Sequence, residues 1–448
     1  MIKRIFIANR GEIAVRINRA ARLLGIETVQ AYSSADAEML AVKMADSSVC
    51  VGDAAAADSY LNIESLVKCA NDYDCDAIHP GYGFLSENPA FARAVQDAGL
   101  IFIGPSPETI ERMGDKASAR SAATSAGVPV VPGSASCLES VEEGVRLAAD
   151  IGYPVLVKAA AGGGGRGMRL VHSESELRTQ MPQAASEARS AFGDDRLYLE
   201  KVISRPRHIE VQILGDGKRA VHCFERDCSI QRRRQKVWEE SPAPTLSSAT
   251  RQALCESAVR LAECVGYRGA GTVEYVYDTV QDAFYFIEMN TRIQVEHPVT
   301  EMVTGVDLVA EMIRLADGTP LTLQQSDIRS EGHSIEVRIN AEDPDRDFMP
   351  FPGVIEALSV PEAPGIRFDH FLYEGYRIPP FYDSLLGKLI VKGKTREEAV
   401  TRMESALSGF DIKGIRHTGT LHKRLCQVPA IQNADYHTEW LENWLKGT

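Results

Sequence analysis

Tyr153-Pro154-Val155-Leu156-Val157-Lys158, then Ala159-Ala160-Ala161-Gly162-Gly163-Gly164-Gly165-Arg166-Gly167, then Met168-Arg169-Leu170-Val171, is the stretch on which the fold turns. It reads as a strand ending in a lysine, a glycine loop and a second strand. Consecutive glycines let a backbone approach an anion closely and aim several N–H groups at it. Lys158, Arg166 and Arg169 add positive charge. Gly162, Gly164 and Gly167 match G-x-G-x-x-G by spacing, but a dinucleotide loop joins a strand to a helix. Met168-Arg169 stands where a Walker loop needs Lys-Ser/Thr. A glycine flap over nucleotide phosphates, carried by a hairpin, remains. A flexible surface hairpin is the plainer alternative.

Outward from the flap, the chain alternates strands and helices. Arg4–Ala8 alternates as a strand. Gly11–Leu24 carries Ile13, Ile17, Ala20, Ala21 and Leu24 on one helical face, and Gly25 stops it. Thr28–Tyr32, Ala77–His79 and Leu100–Ile103 are further strands. Residues 1–113 therefore read as a doubly wound α/β domain. The first turn, Asn9-Arg10-Gly11-Glu12, has one glycine and lacks the dinucleotide fingerprint, so no NAD binding is expected. Helices are expected from Asp115-Lys116 to about Ala126, near Val141–Ile151 and at Ser248–Cys264. An α+β segment ends in helices near Arg396–Leu407, Gly419–Cys426 and Glu439–Lys446. No internal repeat or low-complexity tail is evident, and the pieces read as one compact body.

The 448 residues suggest about three domains at ~150 residues each. With 49 basic against 62 acidic residues the net charge is −13, which argues against a nucleic-acid partner. No apolar run is long enough to span a membrane, and Met1–Arg10 is too short for a signal peptide. The nine cysteines are scattered, with no C-x-x-C pair. They read as reduced thiols of a cytoplasmic protein.

Two further stretches carry chemistry. Thr272–Tyr277 and Ala283–Met289 read as a hairpin closing about residue 281, which sets Glu274 opposite Glu288. Opposed carboxylates repel unless a cation lies between them, and oxygen ligands suit Mg²⁺ or Mn²⁺. Two solvated glutamates are the alternative. If the chain continues extended, Glu288, Asn290, Arg292, Gln294 and Glu296 share one face, with Met289, Thr291, Ile293 and Val295 on the other. An arginine beside a glutamate suits a small oxyanion that must give up a proton. Ser334–Asn340 repeats the pattern, with Arg338 on the polar face, where it can stabilise an oxyanion. Glu225–Lys236 holds five cations in twelve residues and reads as a local anion trap or a solvated basic loop.

Several motifs together resemble biotin carboxylase. They are Ile7–Ala14, His79-Pro80-Gly81-Tyr82-Gly83-Phe84-Leu85-Ser86-Glu87-Asn88, the loop at 158–169, Glu225–Lys236 and Phe286–Pro298. The match runs from the first strand to at least Gly414. The resemblance implies an α/β and α+β multidomain chain. It comprises an N-terminal α/β domain (1–113), a central ATP-grasp domain (114–331, with a mobile lid at about 131–203) and a C-terminal α+β domain (332–448). It also implies a reaction: MgATP and bicarbonate form carboxyphosphate, and biotin on a carrier protein is then carboxylated at N1′.

Carried over by motif, Lys116, Lys158 and the flap glycines Gly162, Gly163, Gly164, Gly165 and Gly167 would hold ATP phosphates. Glu200, Lys201 and Ile203 would lie beside the adenine, with His208 and Gln231 near the ribose. Glu274 and Glu288 would bind Mg²⁺ or Mn²⁺, supported by Asn290. Lys236, Arg292, Gln294 and the Val295 backbone would bind bicarbonate, and Glu296 would deprotonate it. Arg338 would stabilise the biotin enolate, and Tyr82 would lie near biotin. Two positions depart from the pattern. Arg234 stands where many relatives have histidine or asparagine, and Ala161 replaces the first glycine of the run found in some members.

Ala41-Val42-Lys43-Met44 is close to the biotinylated Ala-Met-Lys-Met of carrier domains, but it lies in a helical setting of the first domain. Lys43 is therefore expected to be a surface lysine. No carrier-sized segment follows residue 448, so biotin is expected on a separate carrier protein, with a carboxyltransferase subunit as a further partner. A homodimer is expected. The first expectation is the biotin carboxylase subunit of acetyl-CoA or another acyl-CoA carboxylase. Alternatives are the same subunit of a pyruvate or other carboxylase, a different ATP-grasp ligase joining a carboxylate to an amine, and a non-catalytic ATP-binding subunit.

Overall fold

The computed structural model describes residues 1–134, 136–160 and 167–447. Ala161, the glycines Gly162, Gly163, Gly164 and Gly165, and Arg166 lie outside the described residues.

The N-terminal strands are β1 (Arg4–Ile7), β2 (Glu27–Ser33), β3 (Ser47–Gly52), β4 (Ala77–His79) and β5 (Ile101–Phe102). They form one parallel sheet in the order β3-β2-β1-β4-β5. Order reversal on either side of β1 is the mark of a doubly wound sheet. The helix Gly11–Leu23 follows β1 and buries Ile13, Ile17, Ala20 and Ala21, whereas Leu24 is only half-buried. At its end Gly25 takes φ +71°, and the Ile26 N–H reaches back to the Ala21 carbonyl at 2.9 Å. That αL closure is why a glycine stands there. Lys43 lies in the short helix Leu40–Met44 on the surface and donates to the Tyr373 hydroxyl at 2.7 Å.

Next come β6 (Val155–Ala159), β7 (Met168–Val171) and β8 (Leu197–Lys201), an antiparallel sheet in the order β7-β6-β8. Helices Val141–Ile151 and Glu174–Phe192 accompany it. Val155, Val157, Val171, Leu177, Leu197 and Leu199 form a core of their own. Each fully buried aliphatic side chain contributes roughly 1.5–3 kcal/mol, enough in sum to hold this small sheet together.

The central strands are β9 (Pro206–Asp216), β10 (Ala220–Arg232), β11 (Gln235–Ser241), β12 (Arg268–Asp278), β13 (Ala283–Asn290) and β14 (His333–Asn340). They join strands Leu385–Gly393 and Ile366–His370 in one antiparallel eight-stranded sheet. The order runs β13-β12-β9-β10-β11-β14, then Leu385–Gly393 and Ile366–His370. Helix Ser248–Cys264 packs on β9 and β10 and buries Leu254, Ala258 and Leu261 in the core beneath it. The largest core links the first helix to β14 and the C-terminal helices. The sheet thus passes without interruption from the central region into the C-terminal one, through the pairing of β11 with β14.

Candidate active site

The registers decide which side chains meet. Glu274 on β12 pairs with Glu288 on β13, yet Tyr275 pairs with Phe286, so the register slips by one residue between them. Ile287 is the extra residue of a β-bulge, and without it a uniform hairpin would set Glu274 against Ile287. The opposed glutamates arise from the bulge as well as from the turn. Glu274 also faces Glu210 on β9.

Lys236 stands among these carboxylates. Its Nζ donates to Glu210 Oε2 at 2.5 Å, Glu274 Oε1 at 3.0 Å and Glu296 Oε1 at 2.5 Å. Burial would lower its pKa, but the three carboxylates outweigh burial and hold it well above the ordinary lysine value. His208 Nε2 lies 3.1 Å from Glu274 Oε2 and 3.4 Å from Glu210 Oε2. Glu274 Oε1 further accepts from Asn290 Nδ2 and Gln294 Nε2, each at 2.8 Å. Enclosure in the cleft, then the charge of Glu274, push the Glu288 carboxyl upward.

Strand β13 ends at Asn290, and the chain turns before Glu296 and the helix His297–Thr304. The expected extended run to Glu296 is therefore not formed. The polar side chains reach a common cavity all the same, because the turn replaces strand alternation. Arg292 donates from Nε to Glu87 Oε2 at 2.8 Å and from Nη2 to Asn290 Oδ1 at 2.9 Å. Glu296 Oε2 accepts from Arg338 Nη2 at 3.0 Å. Burial would raise Glu296, but Lys236 and Arg338 overcome both burial and the nearby Glu210, so its carboxyl lies below the usual range. Arg338 Nε donates to Glu239 Oε1 at 2.6 Å. The Val295 carbonyl accepts from the buried Lys388 at 2.8 Å. Tyr82 donates to Glu12 Oε1 at 2.5 Å, and the same oxygen lies 3.1 Å from Lys388 Nζ.

One cavity of about 1290 Å³ collects Tyr82, His208, Gln231, Lys236, Glu274, Glu288, Asn290, Arg292, Gln294, Val295, Glu296 and Arg338. Lys116, Lys158, Glu200, Lys201, Ile203 and Gly167 do not line it. Lys116 is exposed at the start of helix Lys116–Ser125, and its charge acts on Glu288. Lys158 and Glu200 pair with each other on the β6–β8 sheet, and Lys201 Nζ reaches Gln281 Oε1 at 3.1 Å. Gly167 accepts from the Ala159 N–H at 2.8 Å and takes φ +75°. Gln231 donates to the Cys228 carbonyl at 2.8 Å.

The basic stretch is a narrower anion trap than its composition implies. Arg226 is fully buried and donates to Glu210 at 2.6 Å, Gln212 at 2.8 Å and Gln294 at 2.6 Å. It is scaffolding beneath the site. Arg232 and Arg233 pair with Asp347 at 2.6 and 3.1 Å. Arg232, Arg234 and Lys236 line the cavity. The sequence reading assigned no role to Glu210, Glu87, Glu239 or Lys388. Glu210 was within reach of it, since it lies two residues from His208 on the same strand face; the other three depend on tertiary contacts.

A parallel N-terminal sheet, a small sheet with its own core and an antiparallel sheet presenting paired glutamates and cations define an ATP-grasp ligase. Residues 115–324 match the family described as the carbamoyl-phosphate synthase L chain, ATP binding domain. Residues 1–110 match the biotin carboxylase N-terminal domain and residues 336–443 the biotin carboxylase C-terminal domain. The chain belongs to the biotin carboxylase family. It is 52% identical over 445 residues to biotin carboxylase 1 of Bacillus subtilis, covering 99% of each chain. It is 51% identical over 439 residues to the chloroplastic biotin carboxylase of Arabidopsis thaliana, covering 98% of this chain and 82% of that one. Among solved structures, it is similar to the bicarbonate-bound biotin carboxylase domain of a thermophilic 2-oxoglutarate carboxylase. The TM-score there is 0.93 and the identity 47%, covering 99% of this chain and 98% of that one. A Campylobacter jejuni biotin carboxylase complex with β,γ-ATP gives 0.89 at 47%, covering 99% of both chains. Among the described residues no helix is long and apolar enough to cross a membrane.

Proposed function

We propose that this biotin carboxylase is the component of an acetyl-CoA or other acyl-CoA carboxylase that carboxylates biotin on a separate carrier protein, using ATP and bicarbonate. The observation that carries the reading is Glu296, ionised and held between Lys236 and Arg338. Bicarbonate beside Lys236, Arg292, Gln294 and the Val295 backbone would give its proton to Glu296. The bicarbonate oxygen then takes the γ-phosphoryl group and ADP leaves, forming carboxyphosphate. Arg338, a fixed cation at the same carboxylate, would stabilise the enolate of biotin as N1′ is carboxylated, with Tyr82 nearby.

Glu274 and Glu288, opposed and all-oxygen, fit Mg²⁺ or Mn²⁺, with Asn290 holding Glu274 in place. When bound, the cation would offset the charge of the ATP phosphates. Lys116, Lys158 and the glycine flap would bind those phosphates, Glu200, Lys201 and Ile203 the adenine, and His208 and Gln231 the ribose. His208 and Gln231 line the cavity, whereas Lys116, Lys158, Gly167, Glu200, Lys201 and Ile203 do not, so nucleotide binding would bring the β6–β8 sheet towards β13. The proposed domain limits are 1–113, 114–331 with a lid at about 131–203, and 332–448. The limit near 331 divides the sequence and leaves the shared sheet whole. A carrier protein, a carboxyltransferase subunit, a homodimeric state and a cytoplasmic location complete the proposal. Likeness to a 2-oxoglutarate carboxylase domain supports a second reading, in which the final acceptor is a 2-oxo acid.

Free biotin should stimulate bicarbonate-dependent ADP release, and Arg338→Ala should abolish biotin carboxylation. ATP cleavage indifferent to both bicarbonate and biotin would sink the reading. Co-purification of the carboxyltransferase decides between the two acceptors.

A further inference from the structure

Beneath Arg338 lie two glutamates that the reaction as written does not use. Glu239 on β11 and Glu336 on β14 are direct partners in the antiparallel register, and both are fully buried. Directly opposed residues hold their Cβ atoms about 5 Å apart, so the two carboxyls are within reach of each other. Glu239 spends Oε1 on Arg338 Nε at 2.6 Å. Glu239 Oε2 and both oxygens of Glu336 are buried without a donor. Two ionised carboxylates in that arrangement would repel and leave three acceptors unsatisfied, which is costly in a dry interior.

We propose that Glu336 carries a proton at neutral pH and donates it to Glu239 Oε2, and that this acid–carboxylate pair positions Arg338 for biotin. The proton satisfies one oxygen of each residue and removes the repulsion. Glu239 keeps its negative charge on the side facing Arg338, so the guanidinium is pinned through Nε and presents its other nitrogens to Glu296 and the cavity. Ionising Glu336 would push Glu239 away and release Arg338.

The surroundings agree. Glu336 faces Lys388 from strand Leu385–Gly393, Glu239 from β11, Glu296 from the turn before helix His297–Thr304, and Arg338 on its own strand. The elements packed on β14 also carry His297, Arg396 and His422. Burial keeps His297 and His422 neutral, and Arg396 is engaged by Glu240 at 2.7 Å. Lys388 is drawn off to the Val295 carbonyl and Glu12. Burial pushes the Glu336 carboxyl well up, and Glu239 adds to the rise.

The inference rests on Arg338 acting on biotin, and its test separates the two. Infrared spectroscopy of the full chain near neutral pH should show the carbonyl band of a buried protonated carboxylic acid that Glu336→Gln removes. No band assignable in this way overturns the inference and leaves the biotin carboxylase reading untouched, because no turnover is measured. An amide can still donate to Glu239, so Glu336→Gln should keep biotin-dependent kcat within about threefold, whereas Glu336→Leu should lower it about tenfold or more with KM for ATP unchanged. Equal loss in the two variants overturns the positioning role. If Glu336→Leu does not fold, the Glu336→Gln band and its kcat decide: a kcat more than about tenfold down would overturn the role.

Discussion

Glu296 shows how a single carboxylate is prepared. Two cations hold it ionised despite full burial, so the proton-accepting form is the one present, although the same cations weaken it as a base. Glu296→Gln keeps the shape and removes the basicity. Bicarbonate-dependent ATP cleavage should fall about 10²-fold or more, the usual worth of a positioned base. Thermal stabilisation by MgATP should persist, which a calorimetric titration and a melting curve would check together. That expectation could be formed from the residue type and its neighbourhood in the motif. The grip of Glu87 on Arg292 could not, because 205 residues separate them.

At the scale of elements, registers and turns did what residue patterns left open. The hairpin β12–β13 was legible, and so was the meeting of Glu274 with Glu288. The bulge at Ile287 was not, since an extra residue in one strand leaves no trace in alternation. The polar run after Asn290 was legible as a set and mistaken as a strand. A turn can aim alternate side chains at one cavity as well as a strand can. Strand Leu385–Gly393 carries a further constraint at its end. A Cβ on Gly393 would sit 2.5 Å from the Ala399 nitrogen and 2.9 Å from the Thr395 carbonyl oxygen, where helix Arg396–Gly409 begins. Both neighbours are backbone, so Gly393→Ala should destabilise by about 1–3 kcal/mol and lower Tm by about 1–3 °C in scanning calorimetry. An unchanged Tm would show that the strand and helix can part without cost.

The molecule as a whole hides charge. Its net −13 describes the surface, whereas the cavity gathers Lys236, Arg292 and Arg338. It also hides neutral imidazoles. His222 and His370 accept backbone N–H groups at Nδ1, from Phe224 at 3.3 Å and Leu372 at 3.1 Å, and His422 is enclosed beside the Arg338 carbonyl. Burial lowers all three to about 4 from the ordinary 6.5. His79 likewise accepts the Gly81 N–H, and burial lowers it to about 3. Between these values and 6.5 the unfolded chain binds more protons than the folded one, so stability rises with pH there. The contribution is complete above pH 6.5 and is lost as pH falls through about 4. Melting curves should show Tm falling over that range, more shallowly in His422→Gln. A flat Tm from pH 6.5 to about 4 would contradict the buried-neutral assignment.

By itself the sequence determined the alternation of strands and helices, the family and the membership of the polar stripe. Those depend on local periodicity and on motifs whose residues lie close together in the chain. Tertiary structure alone decided that Lys236 sits among three carboxylates, that Arg226 is scaffolding rather than anion trap, and that Glu239 holds Arg338 beside a buried Glu336. Each of these contacts joins side chains from different elements that the order of strands in the sheet, and the turn after β13, bring to one place. Pairing order and register set such contacts, and side-chain periodicity along one strand carries no information about which strand will lie beside it.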